Sequence, residues 1–160
     1  MSTDFEGLLK TLSSARVDFI LAGGVAATLH GAARATYDID VVYSRESANV
    51  DRLVAALMTL QPYLRGAPRG LPFHFDRDTI TRGLNFTLTT TLGDLDLLGE
   101  LTGGGNYEAL LPDTETLLLF GFECRCLTLE KLIAVKRAAG RPKDLEVIAE
   151  LEALRDERQP

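Results

Sequence analysis

The sequence predicts an α+β fold: one mixed β-sheet with helices mainly on one face and a helix pair closing the C-terminus. Three observations lead there. The predicted elements run helix, strand, helix, strand, helix and then a strand hairpin, an order that fits a mixed sheet and fits an all-parallel doubly wound sheet poorly. Apolar and polar residues alternate in short runs, above all Asp38-Ile39-Asp40-Val41 and Asn85 to Thr91, which is the period of half-buried strands. The chain has 160 residues, 46% of them hydrophobic and 25% charged, a single-domain length with enough apolar material for a core. Residues 1–160 therefore read as one unit, with the C-terminal helix pair at about 128–155.

Phe5 to Ala15 carries Phe5, Leu8, Leu9 and Leu12 at helical spacing behind a Thr3 or Asp4 cap. Val17 to Ala22 is the first strand. Gly23-Gly24 breaks it, and Val25 to His30 is a helix of small residues that Gly31 ends. The aspartate strand follows and runs to Tyr43. Ser47 to Leu60 is helical, with Val50, Leu53, Val54, Leu57 and Met58 as its apolar stripe. Gln61 to Pro72 is a loop rich in Pro and Gly that carries Arg65 and Arg69; such a loop covers a substrate or is simply mobile. His74, between two phenylalanines and without a metal partner, reads as structural or surface. Asn85 to Thr91 and Leu95 to Leu98 are strands joined by a tight turn at Gly93-Asp94. Gly99 to Asn106 is a flexible loop whose three glycines precede no Lys-Ser/Thr pair, so it is not a P-loop. Thr114 to Leu119 and Phe122 to Leu127 form a hairpin around Phe120-Gly121. Thr128 caps a helix that Gly140 stops, and Pro142 opens the last helix, to about Arg155.

Composition excludes several classes. The net charge of −6 argues against a general nucleic-acid-binding surface, while leaving room for a local basic pocket. No apolar run approaches the roughly 20 residues of a membrane helix, so no membrane partner is expected. The acidic N-terminus, MSTDFEGLLK, has no signal-peptide pattern, and the expected location is cytoplasmic. Cys124 and Cys126 stand two apart with no second pair, which favours reduced thiols over zinc.

The chemistry concentrates between Phe19 and Tyr43, FILAGGVAATLHGAARATYDIDVVY. Asp38 and Asp40, at i and i+2 of a strand, share one face. Two close carboxylates repel each other, and a divalent cation is the usual remedy; Mg²⁺ binds carboxylates together with phosphates. Gly23 and Gly24, where a strand meets a helix start, let backbone N–H groups approach a phosphate, helped by the helix dipole. A phosphate cradle beside a carboxylate pair points to chemistry on a nucleoside triphosphate. Asp96 lies between apolar neighbours on a later strand; it is either a third carboxylate of the site or an edge-strand charge. Asp94 shares its face by parity, but a turn position accounts for it. Arg34 either reaches a triphosphate or the aspartates, or pairs with Asp38 at the surface. Lys136 and Lys143, in KRAAGRPKD, either offset phosphate charge or sit at two solvated helix ends. His30 is explained by a helix C-terminus alone.

The pattern Gly23-Gly24, His30-Gly31, Arg34-x-Thr36 and Asp38-Ile39-Asp40 resembles the nucleotidyltransferase-fold superfamily, and most of all small bacterial proteins related to the AbiEii-type toxin nucleotidyltransferases. The likeness is strongest over Phe19 to Tyr43 and extends to about Glu150. It implies a nucleotidyltransferase-like fold, with Asp38, Asp40 and Asp96 as catalytic and metal-binding carboxylates for Mg²⁺, with Mn²⁺ as a substitute. It implies that Gly23, Gly24, Arg34, Thr36, Lys136 and Lys143 bind the nucleotide, and that NMP passes from an NTP to a hydroxyl on a protein, a tRNA or a small molecule such as an aminoglycoside. The setting it implies is toxin–antitoxin or resistance, with a cognate partner protein in the former case. The segment after the third carboxylate lies near the site in related proteins, which makes Tyr107 a candidate for base stacking. One departure stands out: many active members have Gly-Ser where this chain has Gly23-Gly24, so the serine's phosphate contact must come from the backbone or another residue. The competing reading is a catalytically inactive nucleotide- or partner-binding domain on the same fold.

Overall fold

The computed structural model describes residues 2–33 and 35–158. Helix α1 (Phe5–Ser14) starts where the Asp4 carboxylate accepts a hydrogen bond from the Gly7 N–H at 2.9 Å. Then come β1 (Phe19–Ala22), α2 (Gly23–Leu29), β2 (Asp38–Tyr43), α3 (Ser47–Met58), β3 (Tyr63–Leu64) and α4 (Arg77–Arg82). They are followed by β4 (Phe86–Thr90), β5 (Gly93–Leu98), β6 (Glu100–Leu101), β7 (Gly105–Asn106), α5 (Tyr107–Leu110), β8 (Thr114–Leu119) and β9 (Phe122–Leu127). The chain closes on α6 (Leu129–Ala139) and α7 (Pro142–Arg158).

Seven strands form one mixed sheet in the order β3-β4-β5-β2-β1-β9-β8, and β6 and β7 pair separately. The pairs β2–β5 and β1–β9 are parallel; the other neighbours are antiparallel. Directly opposed residues point to the same face, so the register sorts the side chains. Leu21 opposes both Val41 and Cys126, and Val41 opposes Leu97. These residues make an apolar face, on which α1 lays Leu8, Leu9 and Leu12, with Ser13 touching Cys124. Helix α3 packs on α1 and α4 on α3, extending this layer. Each leucine buried in it contributes about 2 kcal/mol. The opposite face carries a row of another kind: Ala22 opposes Asp40, Asp40 opposes Asp96, and Asp96 opposes Thr87. The C-terminal pair α6–α7, joined to the sheet through α2, closes over this side.

The expected α+β architecture is thus present; helices lie on both faces of the sheet, α1, α3 and α4 on the apolar one and α2, α6 and α7 on the carboxylate one, and there are local differences. The segment Gln61 to Pro72 contains β3, whose two residues pair with β4. Gly99 to Asn106 is the β6–β7 hairpin, not an unstructured loop. None of these three strands exceeds two residues, too few for a period to show. Gly93, at φ +118°, opens β5 and carries Asp94 into the strand; the turn falls one step earlier, at Thr91 and Leu92. His30 is buried and its Nε2 donates to the Leu127 carbonyl at 2.7 Å, tying α2 to β9. His74 is exposed. Both cysteines are free and buried, and burial pushes the Cys126 thiol up to about 12. Among the described residues, no helix is long and apolar enough to cross a membrane.

Candidate active site

The strand register dictates the centre of the site. Asp38 and Asp40 alternate with the fully buried Ile39 and Val41, and Asp96 sits between the fully buried Leu95 and Leu97. With their neighbours held in the core, the three carboxylates have one side left to occupy. Because β2 and β5 are adjacent and parallel, the three carboxylates converge, with one oxygen from each within 4.8 Å of the others. The electrostatics follow from this crowding. Burial, then a hydrogen bond with Asp96, then the charges of Asp38 and Asp96 push the Asp40 carboxyl up to about 8, against the pull of Lys136. Asp38 is raised as well, by burial and then by the charge of Asp96 and a hydrogen bond with it, against the pull of Arg65. The donor set is three hard oxygens, the set that suits Mg²⁺ or Mn²⁺.

These residues floor a cavity of about 650 Å³ whose walls come from α2, α6 and α7. Gly23, Gly24, Thr36, Lys136 and Lys143 all line it, in addition to the three aspartates. Gly23 has φ +61°, and a Cβ there would overlap Asp40 Oδ2, so both backbone and contact demand glycine. A Cβ on Gly24 would stand 2.7 Å from Thr36 Oγ1. The threonine hydroxyl, donating to the Asp38 carbonyl at 3.1 Å, already fills the space that a serine at position 24 would need. Helix α2 has seven residues, too short for its dipole to count for much; the close approach of the glycine backbone is what it offers a phosphate. Arg34 lies outside the described residues. Tyr107 lines a separate, smaller depression with Ser13, Arg16 and Arg125, away from the aspartates.

Three participants were not identified from the sequence. Arg65, from the end of β3, reaches Asp96 at 2.8 Å, Asp94 at 3.4 Å and Asp38 at 3.7 Å. Asp94 is therefore a fourth strand-borne carboxylate of the same face, opposite Asp38 in the register, and not a turn residue. Asp144 is buried at the start of α7, where it accepts from Arg141 Nε at 2.9 Å and from the Arg141 N–H at 3.2 Å and pairs with Lys136 Nζ at 3.6 Å. Burial alone would raise its carboxyl, but the hydrogen bond and charge of Arg141 and the charge of Lys136 hold it below the ordinary value. Lys136 is thereby fixed at the cavity wall with its side chain 14% exposed. The only sequence signal for this cluster was the KRAAGRPKD run.

No protein-family model and no curated protein matches the chain. Solved structures do. An antigenic nucleotidyltransferase-like protein from Paracoccidioides brasiliensis aligns with a TM-score of 0.57 at 17% identity, over 93% of this chain and 73% of that one. The lincosamide antibiotic adenylyltransferase LnuA, with lincomycin bound, aligns with a TM-score of 0.62 at 16% identity, over 96% and 98%. ANT(2")-Ia in complex with adenylyl-2"-tobramycin aligns with a TM-score of 0.54 at 16% identity, over 94% and 91%. At these identities what is shared is the architecture, and the chain has a nucleotidyltransferase-like fold.

Proposed function

We propose that this chain is a single-domain, divalent-cation-dependent nucleotidyltransferase that moves an NMP from an NTP to a hydroxyl of a small-molecule acceptor. The observation that carries the reading is the convergence of Asp38, Asp40 and Asp96 within 4.8 Å, at the floor of a cavity that the Gly23-Gly24 backbone and Lys136 also line. Asp38, Asp40 and Asp96 would hold one or two Mg²⁺ or Mn²⁺ ions. Bound there, a divalent cation offsets the carboxylate charge and polarises phosphate oxygens. The backbone N–H groups of Gly23 and Gly24 and the Thr36 hydroxyl take the phosphates, with Thr36 doing what a serine at position 24 does elsewhere. Arg34, Lys136 and Lys143 offset the charge that builds on the leaving pyrophosphate. As the acceptor oxygen bonds to the α-phosphorus, the bond from that phosphorus to the pyrophosphate oxygen breaks and its electron pair leaves with pyrophosphate. Asp96, facing the cavity, receives the proton of the acceptor hydroxyl.

A small-molecule acceptor is supported by the cavity, whose volume is that of a drug-sized ligand site. It is also supported by two fold relatives that hold lincomycin and an adenylylated tobramycin. The AbiEii-like pattern from Gly23 to Asp40 supports a finer reading, a toxin–antitoxin setting with a cognate partner protein. An inactive copy would gain nothing from three clustered carboxylates, which cost stability without a cation. Calorimetric titration of each NTP, with and without Mg²⁺, into wild type and an Asp38→Asn/Asp40→Asn double variant tests the proposal. Metal-dependent NTP binding that disappears in a folded double variant is expected. Equal binding by both proteins would overturn it.

A further inference from the structure

The carboxylate face brings a cation of its own. The row Ala22–Asp40–Asp96–Thr87 extends by one more strand to Arg65, whose backbone N–H donates to the Thr87 carbonyl at 3.0 Å. From this edge the guanidinium turns inward. Its Nη2 donates to Asp96 Oδ1 at 2.8 Å and to the Leu88 carbonyl at 2.7 Å. Its Nη1 lies 3.7 Å from Asp38, and its Nε 3.4 Å from Asp94. Nε is buried and makes no hydrogen bond, so only the charge of Asp94 compensates it. One guanidinium thus serves three of the four carboxylates. Asp40, the fourth, has no ion pair among the described residues; the cation acting on it is Lys136, across the cavity wall.

The side chain is held from two directions, by the sheet-edge backbone and by the Leu88 carbonyl. A divalent ion placed between Asp38 and Asp96 on this side would meet a fixed positive charge at ion-pair distance. Among the described residues the Asp40 side has no cation at ion-pair distance; Lys136 acts on it from across the cavity wall. We propose that Arg65 is a positioning residue that acts as a resident cation on the Asp38–Asp94–Asp96 side of the cluster, so that the protein takes up a single divalent ion, on the Asp40 side. The inference deepens the proposed function and rests on its claim that the aspartates bind a divalent cation.

The test is the Mn²⁺ stoichiometry of the full chain without nucleotide, read from the loss of the free-ion electron paramagnetic resonance signal. It compares wild type, Arg65→Lys, Arg65→Gln and the charge-matched Arg65→Gln/Asp94→Asn. One Mn²⁺ per chain is expected in wild type and in Arg65→Lys. Arg65→Gln should gain a second ion, bound at least about tenfold more tightly than any second ion in wild type. If Arg65→Gln fails to fold because its carboxylates repel, Arg65→Gln/Asp94→Asn restores the charge balance and should still gain the second ion. One ion in every folded variant, or two in wild type, would overturn the role of Arg65 while leaving the cation site intact. No Mn²⁺ on any protein would remove the cation site and this inference together.

Discussion

Asp40 concentrates the tension of the site in one carboxyl. Gly23 leaves it no space on one side, Asp38 and Asp96 crowd it with like charge, and Lys136 pulls the other way. Its ordinary value is 3.8, and burial with these neighbours raises it to about 8. Between those values the folded chain keeps a proton that the unfolded chain has lost. Its contribution to stability is therefore fully present below pH ~4 and lost as pH rises through ~8. In chelator the melting temperature of wild type should fall between about pH 5 and pH 8.5, and Asp40→Asn, which cannot titrate there, should fall less. Mn²⁺ at the upper pH should restore wild type and leave Asp40→Asn nearly unmoved, and the same variant should lose roughly 10³-fold in transfer rate. Parallel melting profiles for the two proteins would show that the proton resides elsewhere in the cluster.

The junction between α6 and α7 shows how far the sequence could be read and where it stopped. Gly140, at φ +63°, ends α6 in the left-handed region, and its position as a helix stop was plain from the apolar stripe before it. The same is true of the aspartate strand: a period of two with Ile39 and Val41 inside forces Asp38 and Asp40 outward together. Asp144 gave no such sign. In α7 the apolar Leu145 is 64% exposed while the charged Asp144 is 2% exposed, so hydropathy pointed the wrong way. Arg65 was equally hidden, because its carboxylate partners lie about thirty residues away in sequence and only the pairing of a two-residue strand brings them together. In sequence Asp94 reads as a turn residue, because a glycine such as Gly93, at φ +118°, serves a strand start as well as it serves a turn. If Asp144 is what fixes the junction, Asp144→Ala should leave Lys136 without its partner and lower stability by roughly 2 kcal/mol. That is less than for a fully buried pair, because Arg141 is 56% exposed. Chemical denaturation measures that loss, and NTP affinity should fall with it as Lys136 swings free. Asp144→Asn, which keeps the hydrogen bond from Arg141, should recover most of the stability and less of the affinity. Equal recovery of both would reduce Asp144 to a structural cap.

Across the whole chain, charge and shape together narrow the acceptor. Lys and Arg number 17 against 23 Asp and Glu, and four of those acids share the face that floors the cavity. A tRNA acceptor must bring many phosphates to the surface, and proteins that hold such a backbone neutralise it with a basic stripe whose binding weakens steeply with salt. Among the described residues the cations near the site are few and mostly engaged, Arg65 with three aspartates and Arg141 and Lys136 with Asp144, which leaves the exposed Lys143. They suffice for one triphosphate and not for a nucleic acid as well. A neutral or cationic molecule bearing hydroxyls meets no repulsion from the same acidic face, and amino groups on it would be attracted. Incubation of the protein with α-labelled NTP and Mn²⁺, against a small-metabolite fraction, bulk tRNA and a protein fraction from the same cells, separates the three acceptor classes directly. Label is expected in the small-molecule fraction, with a rate that changes little as salt rises from low to physiological strength. Label in tRNA, lost steeply over that range, would mean that exposed cations such as Lys143 and Arg69 form a backbone track that the net charge conceals.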